Sequence, residues 1–239
     1  MNTVTVVPFY IICDESLSMS GTAIEAVNEG IAELLDGIGA DPIIDIRIRV
    51  GIIAFNDKVS VLLPLTQVSD ITTMPLGCVA GGSASYANIF SFLKTQLEND
   101  VTSLGKQFDV SRPLVFFISY GTPNSNDHWR DELNKLIDPT FKFSPNIVSF
   151  GVQGAEKSVI AEVAHWGSKT EPKVYFMSEH IANPAPALIE IIKWVCNIGF
   201  IVRDVYSDGN IKKNPGYLVT DGETIGNDSV RVYVVEAKK

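Results

Sequence analysis

Residues 4–13, Val-Thr-Val-Val-Pro-Phe-Tyr-Ile-Ile-Cys, form a nearly continuous apolar run that is rich in β-branched side chains and stops at Asp14. A strand with one face in water alternates apolar and polar residues; a strand that does not alternate must be covered on both faces. The run is too short to span a bilayer, which needs roughly 20 apolar residues. Cover on both faces comes from helices packed above and below a parallel sheet. The run therefore predicts an α/β protein, provided that helices and further runs alternate along the chain.

They do. Ile24, Val27, Ile31, Leu34, Leu35 and Ile38 recur at helical spacing, Gly37 and Gly39 end that helix, and Pro42 follows. Residues 45–55 predict a second strand, Asn56-Asp57 a turn, and residues 59–65 a hairpin partner. A loop with Gly77, Gly81 and Gly82 precedes a helix with Tyr86, Ile89, Phe90, Leu93 and Leu97 on one face. Strands are then expected at 113–119, 146–150 and 173–177, with helices near 127–137, 155–165 and 185–197. This order predicts a doubly wound, mostly parallel sheet with one antiparallel edge strand and helices on both faces. Residues 1–198 are read as one domain. Residues 199–239 are read as a C-terminal extension, β-rich or partly flexible, in which strand-like runs at 199–206 and 230–236 flank a stretch rich in Gly, Asp and Asn.

Composition narrows the function. The chain has 239 residues, 46% of them hydrophobic and 20% charged, enough for a full core without disulfides. Its formal net charge is −9, and its densest basic spots are only Lys212-Lys213 and Lys238-Lys239. Phosphate-rich partners call for a basic patch, so nucleic acid and anionic membranes are excluded as expected partners. The N-terminus lacks the pattern of a signal peptide. Cys13, Cys78 and Cys196 are odd in number and form no CxxC pair, which predicts reduced cysteines and a cytoplasmic protein. His128, His165 and His180 are scattered, with no two at zinc-ligand spacing.

In a doubly wound sheet, ligands bind outside the carboxyl ends of the strands. The loop that follows the first strand there is Asp14-Glu15-Ser16-Leu17-Ser18-Met19-Ser20-Gly21. Residues at i, i+2 and i+4 of an extended loop can point one way, so Asp14, Ser16 and Ser18 could present a carboxylate and two hydroxyls to a hard cation. The alternative is a turn and helix cap, which Asp and Ser also favour.

Asp-x-Ser-x-Ser at the end of a buried strand, followed by Ser-Gly and an amphipathic helix, resembles the metal-ion-dependent adhesion site of von Willebrand A domains. The longer stretch from Val7 to Gly21, with Ile24 to Gly30, Phe55-Asn56 and Pro64-Leu65-Thr66, resembles the bacterial TerY-like branch associated with tellurium-resistance gene systems. The resemblance covers roughly residues 5–197. It implies that Gly81-Gly82-Ser83 is the second metal loop, with Ser83 as a ligand in place of the family's threonine. It implies that Ser119-Tyr120-Gly121 is the third, where Tyr120 replaces the family's aspartate. Asp127 or Asp57 would compensate only if their loops bend toward the site.

The resemblance further implies a non-catalytic protein-binding module that carries Mg²⁺ or Mn²⁺ and accepts a carboxylate from a protein partner. Glu15, Tyr120 and Thr122 would be partner contacts, Glu15 facing solvent between the ligands. TerY-like proteins sit beside kinases and phosphatases, which implies a scaffold in a stress or phospho-signalling complex. Two alternatives stand beside it. One is a metal-free scaffold that uses the same surface. The other is a phosphoryl-transfer or hydrolytic enzyme, disfavoured because Ser16 stands where a second acid would be and no Gly-x-Ser-x-Gly elbow occurs.

Overall fold

The computed structural model describes residues 4–73, 77–152, 154–167, 173–178, 224–225 and 230–235. The expected doubly wound architecture is present. Strand β1 (Thr5–Asp14) lies inside the sheet, between β2 (Ile48–Phe55) and β5 (Leu114–Ser119), and is parallel to both. The full order is β3 (Val59–Thr66), β2, β1, β5, β6 (Asn146–Gly151), β7 (Lys173–Ser178), β9 (Val230–Val235) and β8 (Thr224–Ile225). A short β4 (Asp109–Val110) pairs in parallel with the start of β1. At two residues, β4 carries no periodicity that sequence reading can detect.

Because β1 has no alternation, its odd and even residues feed two separate cores. Phe9, Ile11 and Cys13 pack with Ile24, Val27, Ile31, Leu34, Leu35 and Ile38 of α1 (Thr22–Gly39). Tyr10 and Ile12 pack on the opposite face with Tyr86, Ile89, Phe90, Leu93 and Leu97 of α3 (Tyr86–Leu104). That second face also takes Trp129, Leu133 and Leu136 of α4 (Trp129–Leu136) and Val159 and Val163 of α5 (Lys157–Val163). Each large side chain buried in this way contributes roughly 1.5–3 kcal/mol. The helix expected at 185–197 and the strand run expected at 199–206 lie outside the described residues.

Several element ends lie one or two residues inside the expected bounds, α5 being Lys157–Val163 within the expected 155–165, and a larger departure lies before β2. Residues 45–47 belong to a short helix, α2 (Pro42–Arg47), and β2 begins only at Ile48. The cause is local: the Asp41 carboxylate accepts from the amides of Ile43 at 2.9 Å and Ile44 at 3.2 Å, and Pro42 occupies the first helical position. At one edge β3 pairs antiparallel with β2, as the hairpin pattern predicts, and Pro64 sits on that edge, where a missing amide is tolerated. At the other edge the run expected at 230–236 forms β9, antiparallel to β7, with β8 antiparallel to β9. Among the described residues no helix is long and apolar enough to cross a membrane.

Candidate functional site

From β1 the chain crosses through α1 to β2 on one side, and after the hairpin it returns through α3 to β5 on the other. The carboxyl ends of β1 and β5 therefore flank the point where the winding reverses, the usual place for a ligand in such sheets. Asp14 is the last residue of β1, paired with Phe55 of β2, and Ser119 is the last residue of β5.

Backbone bonds join the first two loops. The amide of Leu17 donates to the carbonyl of Gly82 at 3.0 Å, and that of Gly81 donates to the carbonyl of Glu15 at 2.7 Å. The third loop attaches through Asn124, whose amide donates to the carbonyl of Ala84 at 3.0 Å and whose side-chain nitrogen donates to Ser83 Oγ at 3.2 Å. The Asp14, Ser83 and Tyr120 loops thus meet at one end of the sheet. Gly82 has φ +69, a left-handed conformation that favours glycine, and a Cβ there would displace the carboxylate end of the exposed Asp57 side chain.

Asp14 is fully buried. Its Oδ1 accepts the Ser16 amide at 2.8 Å; its Oδ2 accepts the Ser119 hydroxyl at 2.5 Å and the Tyr120 amide at 3.4 Å. Ser16 is buried at the start of the 3-10 turn Leu17–Met19, but its side chain closes no cap bond, so capping does not explain its hydroxyl. Ser18 and Ser83 are exposed. Among the described residues the ion pairs are Arg130–Glu162 and Lys135–Glu132; neither involves Asp14.

The neighbouring acids are committed elsewhere. Asp127 accepts from the amides of Tyr86 at 2.5 Å and Ala87 at 3.1 Å, capping α3 together with Ser85. Glu15 does not simply face solvent. It is half-buried, and its oxygens accept from the Val79 amide at 3.3 Å and from Asn56 Nδ2 at 3.4 Å, bolting the first loop to the second and to the hairpin. Desolvation raises its carboxyl above the usual range; the Val79 amide opposes this and the nearby Asp14 charge adds to it. Tyr120 offers only its amide to Asp14. Its ring packs against the α1-side core, and its hydroxyl lies near Gly154 in the loop after β6. Thr122 is exposed beside it.

Two residues at the site were not anticipated from sequence. Ser119 touches Asp14 directly, and the Tyr86 hydroxyl sits 2.5 Å from Ser119 Oγ. Both are fully buried. The signals were there: Ser119 ends a buried strand level with Asp14, and Tyr86 is the one hydroxyl on an otherwise apolar helix face.

The loops that meet here carry the Asp14 carboxylate and the hydroxyls of Ser16, Ser18 and Ser83. All are oxygen donors, which suits a hard divalent cation and not a thiophilic metal. A buried carboxylate without a cationic partner has the electrostatic demand that such an ion would meet. Among the described residues no group of three or more His, Cys, Asp or Glu side chains gathers to hold a metal.

No known family's sequence profile matches the chain, and no curated protein matches it by sequence. Its fold does match solved structures. Proximal thread matrix protein 1 from the mussel byssus is 16% identical, with a TM-score of 0.56 over 82% of this chain and 49% of that one. The ArnB paralog VWA2 from Sulfolobus acidocaldarius is 13% identical, with a TM-score of 0.53 over 80% of this chain and 45% of that one. Manganese-loaded TRAP protein from Plasmodium vivax is 17% identical, with a TM-score of 0.51 over 80% of this chain and 74% of that one. The chain spans about half the length of the first two. The strand order, the crossovers and these matches together give the chain the von Willebrand A-type fold.

Proposed function

We propose that this chain is a non-catalytic protein-binding module in which the Asp14 loop holds Mg²⁺ or Mn²⁺ and a carboxylate of a protein partner completes the ion's shell. One observation carries the reading: a fully buried carboxylate, without a cationic partner among the described residues, stands at the junction of three loops, two of which bring hydroxyls. Asp14, Ser16, Ser18 and Ser83 would hold the ion, which supplies the positive charge that draws an anionic group. Glu15, Tyr120 and Thr122 belong to the loops around it. That the Plasmodium neighbour carries manganese supports the choice of ion class.

Catalysis is disfavoured by the polar groups present. Ser119 is fully buried, with its hydroxyl engaged by Asp14, Tyr86 and Gly121, and Asp127 is spent on a helix terminus. The resemblance of the Asp14 segment to TerY-like proteins directs the proposal to the bacterial cytoplasm. There the module would be a scaffold in a tellurium-resistance or stress-linked phospho-signalling complex.

Titration calorimetry with Mn²⁺ and Mg²⁺ tests the ion. Saturable binding that Asp14→Ala abolishes is the expected result. No heat at millimolar metal would leave the second reading, a metal-free surface centred on Tyr120, which is favoured by the hydrogen bonds Asp14 already accepts on both oxygens. Partner capture from the native host with and without chelator tests whether the ion mediates binding.

A further inference from the structure

We propose that Tyr86 and Ser119 are positioning residues for Asp14, a buried hydroxyl relay that fixes the carboxylate from below and leaves its loop side to the ion. The inference rests on the proposed cation site, but its first test does not require metal.

The direction of the relay follows from the donor inventory. The amide of Gly121 donates to Ser119 Oγ at 3.0 Å, and an amide can only donate. The Asp14 carboxylate can only accept, so the single proton of Ser119 goes to Asp14 Oδ2 at 2.5 Å. Ser119 has no second proton to offer, so the Tyr86 hydroxyl donates to it. All three groups therefore direct their positive ends toward Asp14, and hydroxyl chains of this kind reinforce one another in a buried site.

The far end of the relay is rigid. The Tyr86 ring meets Phe55, Phe90, Phe117 and Trp129 edge-on, with centroids 5.1–5.9 Å away. Its amide is held by Asp127 at the start of α3. The phenol therefore has little freedom to leave Ser119. Burial, followed by the Asp14 charge, raises its ionisation above the ordinary value, so it remains a donor. Groups that orient a metal ligand typically affect affinity 10–100-fold when removed.

The first experiment is a double-mutant cycle on the metal-free full chain, with Tyr86→Phe and Asp14→Asn followed by urea unfolding. Tyr86→Phe keeps the ring among its aromatic neighbours and removes only the hydroxyl. The relay requires that the two changes be non-additive by about fivefold or more in the unfolding equilibrium constant, the size of coupling expected within one network. Additive effects would overturn the proposal whether or not metal binds.

The second experiment measures Mn²⁺ affinity by calorimetry. Ser119→Ala should weaken it about tenfold or more, whereas Ser119→Thr, which keeps the hydroxyl, should stay near wild type. Equal binding by wild type and Ser119→Ala would reject the positioning role. A wild type that binds no Mn²⁺ would instead reject the proposed function, with the stability cycle still deciding the relay.

Discussion

At the scale of single residues, the site turns on which side chain faces Asp14 from the third loop. Tyr120 brings only its amide, at 3.4 Å, while its ring packs against the α1-side core with its hydroxyl near Gly154. A carboxylate at position 120 would add a second anion to a donor set that otherwise has one. Tyr120→Asp should therefore raise Mn²⁺ affinity about tenfold or more, since the charge of the ligands is what sets affinity for hard cations. Calorimetry of the variant checks this, and unchanged or weaker binding would place position 120 away from the ion. The polar Asp14 loop at the end of a buried strand was legible in sequence, but the extended loop expected there is a 3-10 turn over Leu17–Met19, with Ser16 buried and Ser18 exposed. Ser119 and Tyr86 were not legible, because they meet Asp14 only through the pairing of β1 with β5 and the packing of α3, contacts made across 105 and 33 residues of chain.

At the scale of elements, the second loop is held in place by Gly82. Its φ of +69 lies in the left-handed region, where a residue with a Cβ costs roughly 1–2 kcal/mol. The added methyl of Gly82→Ala would also meet Asp57 Oδ1. The substitution should destabilise the protein by about 1–3 kcal/mol in chemical denaturation. Adding Asp57→Ala should recover the steric part and leave the backbone part. Full recovery would mean that backbone conformation contributes nothing there. Helix α2 shows how element boundaries hide in sequence. Alternation across 45–55 favoured strand, yet Asp41 and Pro42 form a cap and first turn that carry the chain as helix to Arg47. A local capping signal outweighed a periodicity of the wrong element. The buried strands β1, β5 and β6 were legible for the opposite reason: continuous apolar runs bounded by polar loops leave little else for the chain to do.

At the scale of the whole molecule, the alternation of runs and amphipathic helices was enough to reach the doubly wound sheet, because right-handed crossovers leave few ways to stack such units. The far edge was less accessible. β9 reaches β7 across more than 50 residues of chain and pairs antiparallel from Lys173–Val235 to Ser178–Val230, and no local pattern names a partner at that distance. Besides its ladder, β9 is held by aromatic contacts of Tyr233. Tyr233 stacks on Tyr175 with centroids 5.0 Å apart and planes 10° from parallel, and Lys157 Nζ of α5 lies 3.4 Å from the Tyr233 ring centroid. The ring is therefore clamped between a strand neighbour and a helix cation. Tyr233→Ala should cost about 1–3 kcal/mol, from lost stacking, cation–π contact and buried area. Hydrogen exchange would show where that cost falls. Amides of β9 and of its partner β7 should lose protection, while those of β1 and β5 keep theirs, because an edge strand opens before the centre of a sheet does. If protection were lost equally at β1, the edge would instead be part of one cooperative unit with the Asp14 site, and changes at β9 would then reach the candidate cation loops.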